Sequence, residues 1–141
     1  MTWNKILVTV GGWRTDEAVV GLACRVARET KAKIKVIYVV EVAPALPLDA
    51  QLQTDIDMGW QILDRAQSCA EENNYEVDME LFQAREAGPA ILEEAEAQGA
   101  DMILMGMDYK RRFGEFSLGH VVPFILKNAP CAVFLYREPV S

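Results

Sequence analysis

The residues best suited to chemistry lie close together between positions 106 and 120: Gly106, Tyr109, Lys110, Arg111, Arg112, Ser117, Gly119 and His120. Lys110-Arg111-Arg112 sets cations side by side in a chain whose net charge is −7. Gly106 and Gly119 let the main chain approach a ligand closely and take positive φ. A helix starting near Gly119 and His120 would offer N–H groups and the positive end of its dipole to an anion. Arginine can grip a phosphate with two parallel hydrogen bonds. His120 can donate as well, and adds charge when protonated. Pro123 suits a first helical turn, which does not need its missing N–H. The chemistry expected here is the holding of a phosphate-like anion. The plain alternatives are a solvated basic loop, glycines that serve only turn geometry and a surface histidine. Tyr109 either stacks on a ligand or covers the loop.

Catalysis has weaker support. His120 is the one histidine, so no multi-histidine metal site is expected. GxSxG, Walker A and HExxH patterns are absent. Asp108, Ser117 and His120 could form a triad on paper, but all three would have to converge from one short loop. No catalytic residue and no metal ligand is assigned. Cys24, Cys69 and Cys131 are far apart in apolar stretches and lack CxxC spacing, so they read as reduced, packed thiols.

Alternating strand and helix signals position these residues. Ile6 to Val10 is a β-branched apolar run closed by Gly11-Gly12, a buried strand and its turn. Thr15-Asp16-Glu17 supplies a cap and first-turn acids for a helix whose apolar stripe is Val19, Leu22, Ala23, Val26 and Ala27. Ile34 to Val40 is a second strand. Leu52, Ile56, Gly59, Leu63, Ala66 and Ala70 mark a long helix ended by Asn73-Asn74. Val77, Met79 and Leu81 alternate with polar residues, so one face of the third strand is expected to meet water. Gly88-Pro89 opens a third helix and Gly99 closes it, with Glu93-Glu94-Ala95-Glu96 read as its solvated face. Met102 to Met105 is a fourth strand ending at Gly106. A basic loop, a last helix near Gly119 to Asn128, and a fifth strand from Cys131 to Tyr136 complete the order.

Such alternation implies a parallel sheet covered by helices on both faces. Ligands of these sheets bind beyond the carboxyl ends of the strands, where strand order reverses. The turns after the first and fourth strands are therefore the places to look. Trp13, in the first of them, either lines that crevice or packs the core. The fifth strand is apolar throughout yet belongs at a sheet edge, and an exposed apolar edge invites pairing with another chain. A homodimer through Val133 and Leu135 resolves this, with local cover by loops as the alternative.

Four segments are similar to the universal stress protein family: Lys5 to Val10, Val36 to Glu41, Ala100 to Gly106, and Leu126 to Val133. They run in the right order over nearly the whole chain. The resemblance implies an α/β, Rossmann-like (adenine nucleotide alpha hydrolase-like) three-layer sandwich over residues 1–141, with a five-stranded parallel sheet of order 3-2-1-4-5 and a homodimer. One branch of the family binds ATP or related adenine nucleotides, and the other does not. The binding branch carries glycine, two residues, glycine, nine residues, then glycine with serine or threonine. The matching positions here are Gly106, Tyr109, Gly119 and His120. The binding branch also places an acid after the first strand, where this chain has Val10-Gly11. Val39 matches the second-strand position whose backbone meets adenine. The implied ligand is ATP or AMP.

The acidic balance disfavours nucleic acid. No apolar run approaches the ~20 residues of a membrane span, and the first residues lack a signal-peptide layout, so a cytoplasmic location is expected. Three functions follow: a stress-response binding or regulatory module for a small phosphorylated ligand, a ligand-free dimeric interaction module with a transporter or sensor partner, and a weak nucleotide hydrolase.

Overall fold

The computed structural model describes residues 2–107, 110–112, 115–117 and 119–139. Its central sheet is built from β1 (Lys5–Thr9), β2 (Lys33–Glu41), β3 (Asp78–Ala84), β4 (Met102–Gly106) and β7 (Ala132–Tyr136). They stand in the order β3-β2-β1-β4-β7, all parallel. In order of appearance these are strands 3-2-1-4-5 of the sheet, as the resemblance implied. Four helices cross between them: α1 (Asp16–Arg28), α2 (Gln53–Glu72), α3 (Ala87–Gln98) and α4 (Val121–Asn128). One departure lies between β4 and α4. The basic segment expected as a loop forms an antiparallel pair, β5 (Lys110–Arg112) and β6 (Glu115–Ser117).

The apolar runs of β1 and β4 are buried on both faces, as parallel strands between two helix layers must be. Ile6 and Val8 join α1 and α2 in one core cluster, while Leu7, Ile103 and Met105 join α3 and α4 in the other. Two local expectations are corrected by this layering. Leu22 is exposed, and α1 instead buries Val20 and Cys24 beside Val19, Ala23 and Ala27. The stripe is thus rotated toward the adjacent β-branched residue, which fits under α2 where leucine at 22 faces out. The third strand keeps its polar residues wet, with Asp78 exposed and the Glu80 side chain 46% exposed, while Met79 and Leu81 pack on the first cluster and Phe82 on the second. The acidic run on α3 is not wholly solvated, because Glu94 turns inward to Lys35 Nζ at 2.7 Å. Gly99 ends α3 in the left-handed conformation, as expected. Cys24 is buried, Cys69 and Cys131 are half-buried, and all three are free thiols.

Candidate functional site

The site is built where β1 and β4 end side by side, with Thr9 opposite Met105. After Thr9 the chain stays tied to the sheet, since Val10 N–H donates to the Ile37 carbonyl at 3.1 Å. Val10 sends its side chain into the core and Val39 packs on the α3/α4 cluster, so each can meet a ligand through its main chain.

The turn that follows is organised by Asp16. Its carboxylate accepts the N–H groups of Gly11 at 3.3 Å, Gly12 at 2.8 Å and Trp13 at 3.1 Å. Asp16 N–H returns a bond to the Trp13 carbonyl at 3.1 Å. Gly12 takes φ +76°, which turns its amide toward the shared acceptor. Successive main-chain amides of this kind form an anion-holding concavity, and here an internal carboxylate fills it. Thr15, expected as the helix cap, makes no side-chain cap bond. Asp16 does not cap the helix either, since the N–H groups it accepts belong to the turn before it. The Gly11-Gly12 pair four residues ahead of an aspartate was the signal in the sequence, because two glycines free the amides to converge.

Burial pushes the Asp16 carboxyl above its ordinary range, against the three N–H bonds and the nearby Arg65 charge that hold it down. The folded protein therefore keeps this proton to a higher pH than the unfolded chain does. Linkage then makes the Asp16 contribution fall as pH rises from the ordinary aspartate value, about 3.9, through the raised one. The stability difference between the wild type and Asp16→Asn, from urea titrations across that window, is expected to shrink as pH rises. A difference that grows would reverse the assignment.

Trp13 lies against Gly11. A Cβ added at Gly11 would meet the indole, with Cζ2 at 2.6 Å and Nε1 at 2.8 Å. On the β4 side, Gly106 is buried and touches α1: a Cβ there would stand 2.9 Å from Thr15 Cβ and 3.0 Å from Val19 Cγ2, and closer still to Thr15 Oγ1. Gly106 therefore serves close packing of helix on strand. Met107 N–H continues the sheet pairing by donating to the Tyr136 carbonyl at 3.1 Å.

At the far end of the segment, Gly119 has φ +68°, and His120 is the N-cap of α4 with no side-chain cap bond. His120 lines a cleft of about 270 Å³ between the starts of α3 and α4, together with Glu41, Glu86 and Phe124. Glu41 Oε2 accepts Ala87 N–H at 3.1 Å, so one acid of the cleft is committed to the start of α3. Sequence reasoning missed both glutamates, which come from separate elements and meet only in the fold. Tyr109, Asp108 and the side chains of Lys110, Arg111, Arg112 and Ser117 fall outside the described residues.

The model of the universal stress protein family matches residues 2–137. This chain belongs to that family. Universal stress protein MJ0531 of Methanocaldococcus jannaschii is 29% identical to it over 143 residues, covering 97% of this chain and 84% of that protein. Among solved structures, a universal stress protein from Archaeoglobus fulgidus superposes with TM-score 0.79 at 20% identity, over 94% of this chain and 97% of the other. A structure from the same organism in complex with dAMP superposes with TM-score 0.74 at 21% identity, over 96% and 98%. At such identities the structural likeness establishes the family fold. Among the described residues no helix is long and apolar enough to cross a membrane.

Proposed function

We propose that this universal stress protein is a cytoplasmic binding and regulatory module that holds an adenine nucleotide or another small phosphorylated molecule beyond β1 and β4. The observation that carries the reading is the start of α4. His120, the N-cap of α4 without a side-chain cap bond, lines a cleft between the starts of α3 and α4 that Glu41 reaches from the carboxyl end of β2. The other set of convergent amides, after β1, already holds the Asp16 carboxylate. A ligand phosphate is thereby directed to α4 and to the β5–β6 segment with its basic residues. The dAMP held by a protein of the same fold supports the ligand class.

Mass spectrometry of small molecules released from the denatured, purified protein is expected to find a nucleotide, and calorimetry to detect heat with AMP or ATP. An empty protein without heat for either removes the reading. Replacing Arg111 and Arg112 together by alanine is expected to weaken the ligand by about 1.5–3 kcal/mol for each charge-assisted hydrogen bond removed. The melting temperature should stay nearly unchanged. Equal affinity in the double variant would move the phosphate elsewhere.

A second reading has an observation of its own. The edge strand β7 leaves Phe134 42% exposed, edge-on to Trp3 with ring centroids 5.6 Å apart, while Val133 and Leu135 are half-buried against the α3/α4 cluster. Pairing of β7 with a second copy would cover Phe134. A dimer in sedimentation that carries neither nucleotide nor ligand heat would favour the pure interaction module, with a transporter or sensor as its partner.

A further inference from the structure

Trp13 is an indole held in place at the mouth of the sheet without being part of its core. It is half-buried, yet it is absent from the side chains packed against either core cluster among the described residues. Its ring lies instead on the main chain of Gly11, and any side chain at Gly11 would displace it. Its backbone is fixed from both sides by Asp16, which accepts its N–H and donates to its carbonyl. Asp16 is half-buried, and that burial works against its charge. The half-buried carboxylate thus fixes the main chain of residues 11–13, and with it the backbone that carries the indole. The turn follows the central strand, beside the end of β4, where open parallel sheets bind ligands.

A half-buried, rigidly mounted ring at that point has a use that core packing does not explain. We propose that Trp13 is the stacking surface of the ligand crevice, taking the planar base of a nucleotide whose phosphate lies at the start of α4. The inference rests on the function proposed above and deepens it. It makes the indole a specificity-determining residue, selecting a flat heteroaromatic group over a bare sugar phosphate. Every base has a π-face, so stacking by itself is tolerant of base identity. Asp16 is a positioning residue for this surface, acting through the backbone of residues 11–13.

The test compares AMP with ribose 5-phosphate, which shares the sugar phosphate and lacks the base. Calorimetry is run on the wild type, Trp13→Leu and Trp13→Phe. The wild type is expected to bind AMP more tightly than ribose 5-phosphate. Trp13→Leu should weaken AMP about tenfold and leave ribose 5-phosphate unchanged, while Trp13→Phe keeps most of the AMP affinity. Equal weakening of both ligands in Trp13→Leu would mean a distorted turn and would overturn stacking. Unchanged AMP binding in that variant would overturn it while leaving the proposed function standing. A wild type that binds neither ligand removes the function and the stacking surface together. If Trp13→Leu fails to fold, the ratio of the two affinities in Trp13→Phe decides: a ratio near one in both wild type and variant sinks the idea.

Discussion

Lys35→Ala is expected to lower the unfolding free energy by about 3 kcal/mol, the lower end of the range for breaking a buried ion pair from one side. Lys35 is a cation on the central sheet, beneath α3. Its Nζ lies 2.5 Å from Glu80 Oε1 on β3 and 2.7 Å from Glu94 Oε1 on α3. It also stands 5.7 Å from the centre of the Phe82 ring. The Lys35 and Glu94 side chains are 18% and 12% exposed, so removing the cation strands a carboxylate that water reaches poorly. Glu80 is 46% exposed and water screens it, so its bond adds little. A loss near 3 kcal/mol corresponds to roughly 10 °C in melting temperature for a chain of this size, read by thermal and urea denaturation. Lys35→Met combined with Glu94→Leu should recover most of it, because a packed apolar pair can equal a buried ionic one. Burial pulls the Lys35 pKa down, but its two carboxylates outweigh that and hold it above the ordinary value. A raised pKa on a cation gives stability that is complete below the unfolded value, about 10.4, and is lost as pH rises through the folded one. The wild type should therefore lose this contribution only in strongly alkaline buffer, and Lys35→Ala should show no such step. A loss under about 0.5 kcal/mol, the range of an ordinary surface substitution, would mean that the three groups are solvated after all.

What the sequence disclosed and what it hid divide along a physical line. Strands such as Ile6 to Val10 and Met102 to Met105 were legible because a strand buried on both faces must be apolar throughout. The turn glycines were legible because few other residues take positive φ. The facts missed were all agreements between distant elements. Glu94 looks like any solvated helix acid until β2 brings Lys35 beneath it. Leu22 and Val20 are equally apolar, and only the approach of α2 decides which is covered. Asp16 has the composition of a first-turn acid, and its role as the acceptor for three amides depends on the path of Gly11 and Gly12. Sequence reading placed Gly106 at the end of β4 and Gly119 and His120 at the start of α4, where the structure has them. It could not find Glu41 and Glu86, which reach the cleft from β2 and from the residue before α3. Nor could it tell that Gly106 is needed for the approach of Thr15.

That last point gives the second large effect, and it bears on function. Gly106→Val is expected to destabilise the fold by about 3 kcal/mol, the upper end of the cost of overpacking a core. The added Cβ would meet Thr15 and Val19 on α1, and the strand cannot easily yield. Gly106 pairs with Tyr136 on one side, and Met107 bonds to the same residue. The Thr15 hydroxyl is buried and has no hydrogen-bond partner among the described residues, so trimming it forfeits no hydrogen bond. Thr15→Ala should accordingly be nearly neutral alone and should restore part of the stability lost in Gly106→Ala, the milder form of the same clash. A phosphate-approach role for Gly106 predicts something different. Added bulk would then block the ligand whatever stands at position 15. The two roles separate in the double variant Gly106→Ala/Thr15→Ala, measured for both stability and AMP affinity. Recovery of both assigns Gly106 to packing and leaves the phosphate to Gly119 and the start of α4. Recovery of stability alone, with AMP still excluded, would bring Gly106 back to the phosphate and place the ligand closer to β4 than the uncapped His120 suggests.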